Sequence, residues 1–132
     1  MVLPRAKILI VDDEPSVLLT VTAILQQEGY EADAAPNGTA ALEWIRSRYY
    51  DLVITDINMP DINGLELVSF VKTNPAYRRI PLVIVSTEGS ERDRDKGMSL
   101  GADAYVVKPF DPEQLRRIAQ DLLADAARGE QG

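Results

Sequence analysis

Residues Asp51–Leu67 read DLVITDINMPDINGLEL. The stretch Leu52–Thr55 runs apolar and β-branched without alternation. The chemistry then changes at once, to Asp56-Ile57-Asn58, and Pro60 and Gly64 punctuate the segment beyond. A short unbroken run of this kind is how a strand covered on both faces reads. The same grammar recurs on either side. Ile8–Val11 is followed by Asp12-Asp13-Glu14, Leu82–Ser86 by Thr87-Glu88, and Ala104–Val107 by Lys108-Pro109. A fifth run, Glu31–Ala35 (EADAA), is weak and alternating, which suits an edge strand.

Between these runs lie segments with helical spacing. The first opens at Pro15, with Asp13 as its expected cap, and carries Val17, Leu18, Val21, Ile24 and Leu25 before stopping at Gly29. The second spans about Thr39–Ser47, capped by Asn37 or Thr39. The third starts near Gly64 and ends before Asn74-Pro75. The last begins with Asp111 as cap, Pro112 in the first turn and Gln114 at a capping-box spacing, with Leu115, Ile118, Ala119 and Leu122 inward. The fourth, over residues 90–99, is the odd one. Glu91–Lys96 are all charged, pairs such as Glu91–Arg94 are expected along it, and Gly97 costs about 1 kcal/mol against Ala. It reads as a solvated, weakly held helix. Five βα units with short connections predict a parallel sheet with helices on both faces.

The chain has 132 residues, about one domain's worth, with 45% hydrophobic and 27% charged residues. The expectation is one domain over residues 1–132, with a core of about 7–123 and a frayed tail at 124–132. Cysteine and histidine are both absent, which removes thiolate nucleophiles, Cys/His zinc sites, haem held by those residues, Ser-His-Asp triads and histidine bases. A formal charge of −7 argues against nucleic-acid or anionic-membrane binding. No apolar run approaches the ~20 residues of a membrane span, and the opening MVLPRAKILIVDDE does not read as a signal peptide. A cytoplasmic location is expected.

Ligand and catalytic sites in open α/β sheets form at the carboxyl ends of strands, where polar residues succeed the apolar runs here. Asp12, Asp13 and Asp56 would repel one another if packed together, so they need either raised pKa values or a cation. Mg²⁺ suits them: it takes oxygen ligands, keeps several waters and bridges carboxylates to phosphates. Lys108 is then a positive charge for a phosphoryl oxygen, Ser86 or Thr87 a hydroxyl donor, and one carboxylate a nucleophile. Each residue also has a plain structural use, as cap, turn or solvated side chain. Asp51, Asp61 and Asp103 are read as structural only.

Taken together, ILIVDDE, DLVITDINMPDINGLEL, PLVIVSTEG and GADAYVVKPF resemble the receiver domain of bacterial two-component response regulators, most closely the stand-alone, chemotaxis-type form. The resemblance runs from about Lys7 to Leu123. It implies a flavodoxin-like (βα)5 fold with strand order 2-1-3-4-5. It further implies Asp56 as phospho-acceptor, Asp13 as a direct Mg²⁺ ligand, Asp12 acting through metal-bound water, and Asn58 giving its backbone carbonyl. Ser86 matches the switch hydroxyl, Thr87 a backbone N–H donor to the phosphoryl group, and Lys108 the lysine that stabilises its charge. Asn58 and Glu88 occupy rate-tuning positions, Tyr105 is the aromatic that turns inward, and Pro109 comes after a typically cis bond. Ser86 departs from the commoner Thr, and Thr87 is larger than the usual Ala.

The function so implied is a phosphorylation switch. A sensor histidine kinase or phosphotransfer protein, docking by the first helix with Leu18 outward, supplies the phosphoryl group. The face made by the fourth helix, fifth strand and fifth helix then binds a target protein. Such a chain is no classical turnover enzyme, although it catalyses its own phosphorylation and dephosphorylation. No effector domain is expected after Leu123, a homodimer is allowed, and neither nucleic-acid contact nor membrane insertion is expected. Rival readings are a scaffold that keeps the fold without phosphorylation, a small phosphatase, and a flavin-binding protein. The complete set Asp12, Asp13, Asp56, Ser86 and Lys108 argues against the first, and the lack of a phosphate-cradling loop after the first strand against the last.

Overall fold

The computed structural model describes residues 5–87 and 91–131. Five strands, β1 (Lys7–Val11), β2 (Glu31–Ala35), β3 (Leu52–Thr55), β4 (Leu82–Ser86) and β5 (Ala104–Val107), alternate with α1 (Pro15–Gln27), α2 (Gly38–Ser47), α3 (Gly64–Thr73), α4 (Glu91–Ser99) and α5 (Pro112–Gln131). All neighbouring strands pair in parallel, in the order β2-β1-β3-β4-β5. This is the doubly wound (βα)5 arrangement expected.

Alternation along the central strands sorts the core into two layers, because successive side chains leave opposite faces. Leu9, Val11, Val53 and Ile84 pack with Ala41 and Ile45 of α2 and Leu67, Val68 and Val71 of α3. Ile8, Ile10, Leu52, Ile54, Val83 and Val106 pack with Val21, Ile24 and Leu25 of α1 and Leu115 and Ala119 of α5. β1, β3 and β4 are therefore covered on both sides, which is why they read as unbroken apolar runs.

Helix ends obey their local chemistry with three departures from expectation. α2 begins at Gly38, and the Asn37 side chain accepts from Ala40 N at 2.8 Å. α5 is capped by Asp111, which accepts from Glu113 N at 2.9 Å. At α1, however, the capping position is Glu14 rather than Asp13, and its side chain makes no cap bond; Asp12 Oδ1 instead accepts from Glu14 N at 2.9 Å. α5 also continues through Gln131, so the 124–132 stretch expected to fray is helical as far as residue 131. Its segment Leu122–Arg128 contains no Gly or Pro and three alanines, a composition that propagates a helix. Finally, Leu18 is half-buried against the α1–α5 layer, and the leucine that faces outward is Leu19, 73% exposed.

α4 approaches the sheet most closely at Gly97. Its only buried residue is Gly97, and a Cβ there would stand 2.6 Å from Ile84 Cδ1 and 3.7 Å from Tyr105 Cδ2. The glycine that looked like a cost lets a charged helix lie close on the sheet. Arg94 lies 5.9 Å from the centre of the Tyr105 ring and, among the described residues, does not form the expected pair with Glu91.

At the opposite edge, β2 carries Asp33 at its third residue. Its Oδ2 accepts from the hydroxyl of buried Tyr50 at 2.7 Å and from Arg48 at 3.3 Å, with Lys7 Nζ at 3.9 Å. Arg48 in turn stacks on Trp44 at 4.5 Å. Among the described residues no helix is long and apolar enough to cross a membrane.

Candidate functional site

Parallel pairing brings the ends of β1 and β3 level, with Val11 opposite Thr55, so Asp12 and Asp56 emerge side by side. Backbone bonds fix both: Asp12 N donates to Ala35 O at 3.2 Å and Asp56 N to Val11 O at 3.0 Å. Asp12 is 2% exposed and Asp56 6%, whereas Asp13 stands in solvent. Carboxylate oxygens of these three aspartates all lie within 4.8 Å of one another.

Lys108 arrives from the end of β5. Its N–H donates to Ser86 O at 2.8 Å, the Lys108–Pro109 bond is cis, and Nζ reaches Asp12 Oδ2 at 2.7 Å and Asp56 Oδ2 at 3.4 Å. The second Asp56 oxygen, Oδ1, accepts from Ile57 N at 2.7 Å. The Asp56 carboxylate is thus gripped on one oxygen by backbone and faced on the other by a cation.

Burial pushes the Asp56 carboxyl above its ordinary value; Lys108 pulls it down, and the Asp12 charge pushes it up further. For Lys108, burial pulls downward, but the hydrogen bond to Asp12 and the charges of Asp56, Asp12 and Glu14 outweigh it and hold the ammonium above its usual range. Lys108 therefore stays protonated and counters the carboxylates.

The remaining expected residues are distributed around this centre. Ser86 ends β4 wholly buried, opposite Val107 and so one residue from Lys108 in register. Thr87 and Asn58 are exposed on the rim. Tyr105 is buried, 6% exposed, and its ring already lies inward, near Gly97. Glu88 falls outside the described residues.

Asp61, read from sequence as purely structural, has a more particular place. It spans from the β3–α3 loop to the start of α2, accepting from Gly38 N at 3.2 Å, Thr39 N at 2.9 Å and Thr39 Oγ1 at 2.5 Å. The signal available in sequence was the Asn37-Gly38-Thr39 helix start, which leaves two amides facing outward for a distant acceptor. Its partner, 22 residues away, has no local trace.

Chemically the cluster is a hard-oxygen site. Three carboxylates, two of them almost buried, can hold one divalent cation, and the sequence has no Cys or His to offer a softer ligand.

Comparison with known proteins points the same way. The family profile described as response regulator receiver domain matches residues 8–120. The chemotaxis response regulator CheY4 of Vibrio cholerae superposes with a TM-score of 0.84 at 36% identity, over 90% of this chain and 99% of that one. The response regulator TrrA of Thermotoga maritima, in complex with Mg²⁺-BeF, gives 0.80 at 37% identity, over 89% and 98%. Among curated relatives, response regulator Rre1 of Synechocystis is 36% identical over 89% of this chain and 51% of its own length. The chain spans about half the length of several curated relatives it matches.

Proposed function

The chain belongs to the response regulator receiver domain family, and from that premise we propose that it is a switch set by phosphorylation of Asp56. The observation that carries this reading is the gripped carboxylate: Asp56 held by Ile57 N–H, faced by Lys108, and sharing a 4.8 Å cluster with Asp12 and Asp13.

The donor is a phosphohistidine on a kinase or phosphotransfer protein, since this chain has no histidine. An Asp56 oxygen attacks phosphorus, a P–O bond forms, the P–N bond breaks, and the imidazole leaves with the electron pair. Ile57 N–H fixes the carboxylate in orientation. Lys108 faces the incoming phosphoryl oxygens and stabilises their charge. Mg²⁺ is the divalent ion that fits the oxygen donors Asp13, Asp56, the Asn58 carbonyl and, through water, Asp12; it supplies charge neutralisation for the transferring group. The structure of the relative TrrA with Mg²⁺-BeF supports that choice of ion.

Once formed, the acyl phosphate engages Ser86 Oγ and the Thr87 N–H, and Tyr105 packs beneath α4. The face made by α4, β5 and α5 is then stabilised for a target protein by differential affinity. Asn58 and Glu88 tune hydrolysis. A chemotaxis-type role is supported by the likeness to CheY4 of Vibrio cholerae; the longer curated relatives described as transcriptional regulators favour a receiver coupled to a transcriptional output.

Incubation with acetyl phosphate and Mg²⁺, with intact mass as the readout, is expected to add the mass of one phosphoryl group to the wild type and none to Asp56→Asn. An unmodified wild type, or an equal adduct on the variant, overturns the reading.

A further inference from the structure

The loop from Asp56 to Gly64 is fastened at three places. At its start, Asp56 accepts from Ile57 N and Ile57 O accepts from Gly64 N at 2.7 Å. At its end, a Cβ on Gly64 would overlap the Asp56 carbonyl oxygen, so α3 begins directly against the strand end. The middle fastening reaches a different helix. Asp61 accepts two amides and a hydroxyl from Gly38 and Thr39, and Ile62 lies so close to Gly38 that a Cβ there would stand 2.7 Å away.

Asn58 sits between the first and the middle fastening. Ile57 is fixed on one side and Asp61 on the other, so each fastening limits how far the Asn58 carbonyl can be displaced. The Asp61 bonds run to Gly38 and Thr39 of α2, not to the carboxylate cluster. The Thr39 bonds, first its hydroxyl, hold the Asp61 carboxyl well below the ordinary carboxylate range.

We propose that Asp61 is a positioning residue: by tying the loop that carries Asn58 to the first turn of α2, it presets the metal-binding geometry and couples α2 to the occupancy of the site. The proposal rests on the reading of Asp12, Asp13, Asp56 and Asn58 as a Mg²⁺ site. Its thermodynamic content is a linkage. If the tie tightens Mg²⁺ binding by some factor, Mg²⁺ must tighten the tie by the same factor, and a site competent only part of the time binds correspondingly more weakly.

The test uses Mg²⁺ alone, with no phosphoryl donor, on the whole chain. In the wild type, amide exchange at Gly38 and Thr39 should slow about fivefold on adding saturating Mg²⁺. In Asp61→Ala the Mg²⁺ half-saturation, monitored by amide chemical shifts around Asp13, should rise about fivefold, and exchange at residues 38 and 39 should ignore the ion. Asp61→Asn, which keeps one acceptor, should fall between. Ile45→Val supplies the stability control: it loosens α2 from the core side and should leave half-saturation unchanged. The phosphorylation rate of Asp61→Ala should recover fully at high Mg²⁺, a shift in half-saturation and not in maximal rate. The proposal is overturned if Asp61→Ala keeps wild-type half-saturation, or if Ile45→Val raises it equally. A wild type that binds no Mg²⁺ overturns the metal site itself, a different failure.

Discussion

Replacing Lys108 with Met tests how the carboxylate cluster is balanced. The ammonium lies 2.7 Å from Asp12 and 3.4 Å from Asp56, and all three side chains are less than a tenth exposed. At an effective dielectric of about 20, the gross attraction is on the order of 10 kcal/mol. Desolvation of the three ions consumes more than half of it, leaving a cost of about 3–5 kcal/mol when the cation is removed and the carboxylates stay. Against a total stability of about 5–15 kcal/mol, the variant should fold but marginally. Met fills most of the lysine's volume, so the loss is electrostatic rather than a cavity. Lys108 also competes with any divalent ion for Asp12 and Asp56. Removing it should therefore raise Mg²⁺ affinity at least tenfold, about 1.4 kcal/mol of extra metal-dependent stabilisation at saturation. Phosphorylation by acetyl phosphate should meanwhile slow about 10²–10³-fold, as when one charge-stabilising donor is lost. The assay is urea denaturation by far-UV circular dichroism, with EDTA and with Mg²⁺, for wild type and variant. A loss below about 1 kcal/mol in EDTA, or equal stabilisation of both proteins by Mg²⁺, would refute the picture of Lys108 as the internal counter-ion.

Two further outcomes come from the packing. Gly97→Ala gains about 1 kcal/mol of helix propensity but drives a methyl to 2.6 Å from Ile84 Cδ1, an overpacking cost of about 1–3 kcal/mol; Ile84→Val removes that atom at about 1 kcal/mol. The double variant should be more stable than the summed singles by about 1–2 kcal/mol, and strict additivity in urea melts would show that α4 does not rest on Ile84. The Tyr50 hydroxyl is pushed up to about 12, first by burial and then by its bond to Asp33. The folded state thus favours neutral Tyr50, so its contribution is complete below about pH 10 and is lost as pH rises toward 12, on the order of 2–3 kcal/mol. Tyr50→Phe should be less stable than wild type near neutrality yet lose less between pH 9 and 11.5; parallel losses in that window would contradict the assignment.

Much of this was legible because the decisive features are local. β1, β3 and β4 carry apolar residues on both faces, so Ile8–Val11, Leu52–Thr55 and Leu82–Ser86 advertise themselves, and the abrupt polar residues after them mark the rim. The convergence of Asp12, Asp13, Asp56 and Lys108 arises from parallel strands ending level. The features that escaped depended on distant partners. Val17, Leu18, Val21, Ile24 and Leu25 form one wide stripe that serves both the sheet and α5, so no residue within it is spare, and the exposed leucine proved to be Leu19, off the stripe. Gly97 looked like a helix fault because its reason, Ile84, lies on another element. Asp61 looked like turn chemistry because its donors sit in α2. Asp13 looked like a cap because it precedes Pro15, whereas the backbone hands that position to Glu14.

The charge at the middle of β2 has a bearing on how the protein behaves in a crowded solution. An edge strand offers unpaired backbone groups to any passing strand, and sheets that leave one bare are prone to grow into aggregates. A newcomer adding beside Asp33 would have to bury the carboxylate or strip it from Tyr50 and Arg48. Asp33→Val should fold yet lose solubility on concentration, since the same edge would then present a smooth apolar strand. The weakest strand in the sheet, by composition, is in this sense the one that keeps separate molecules separate.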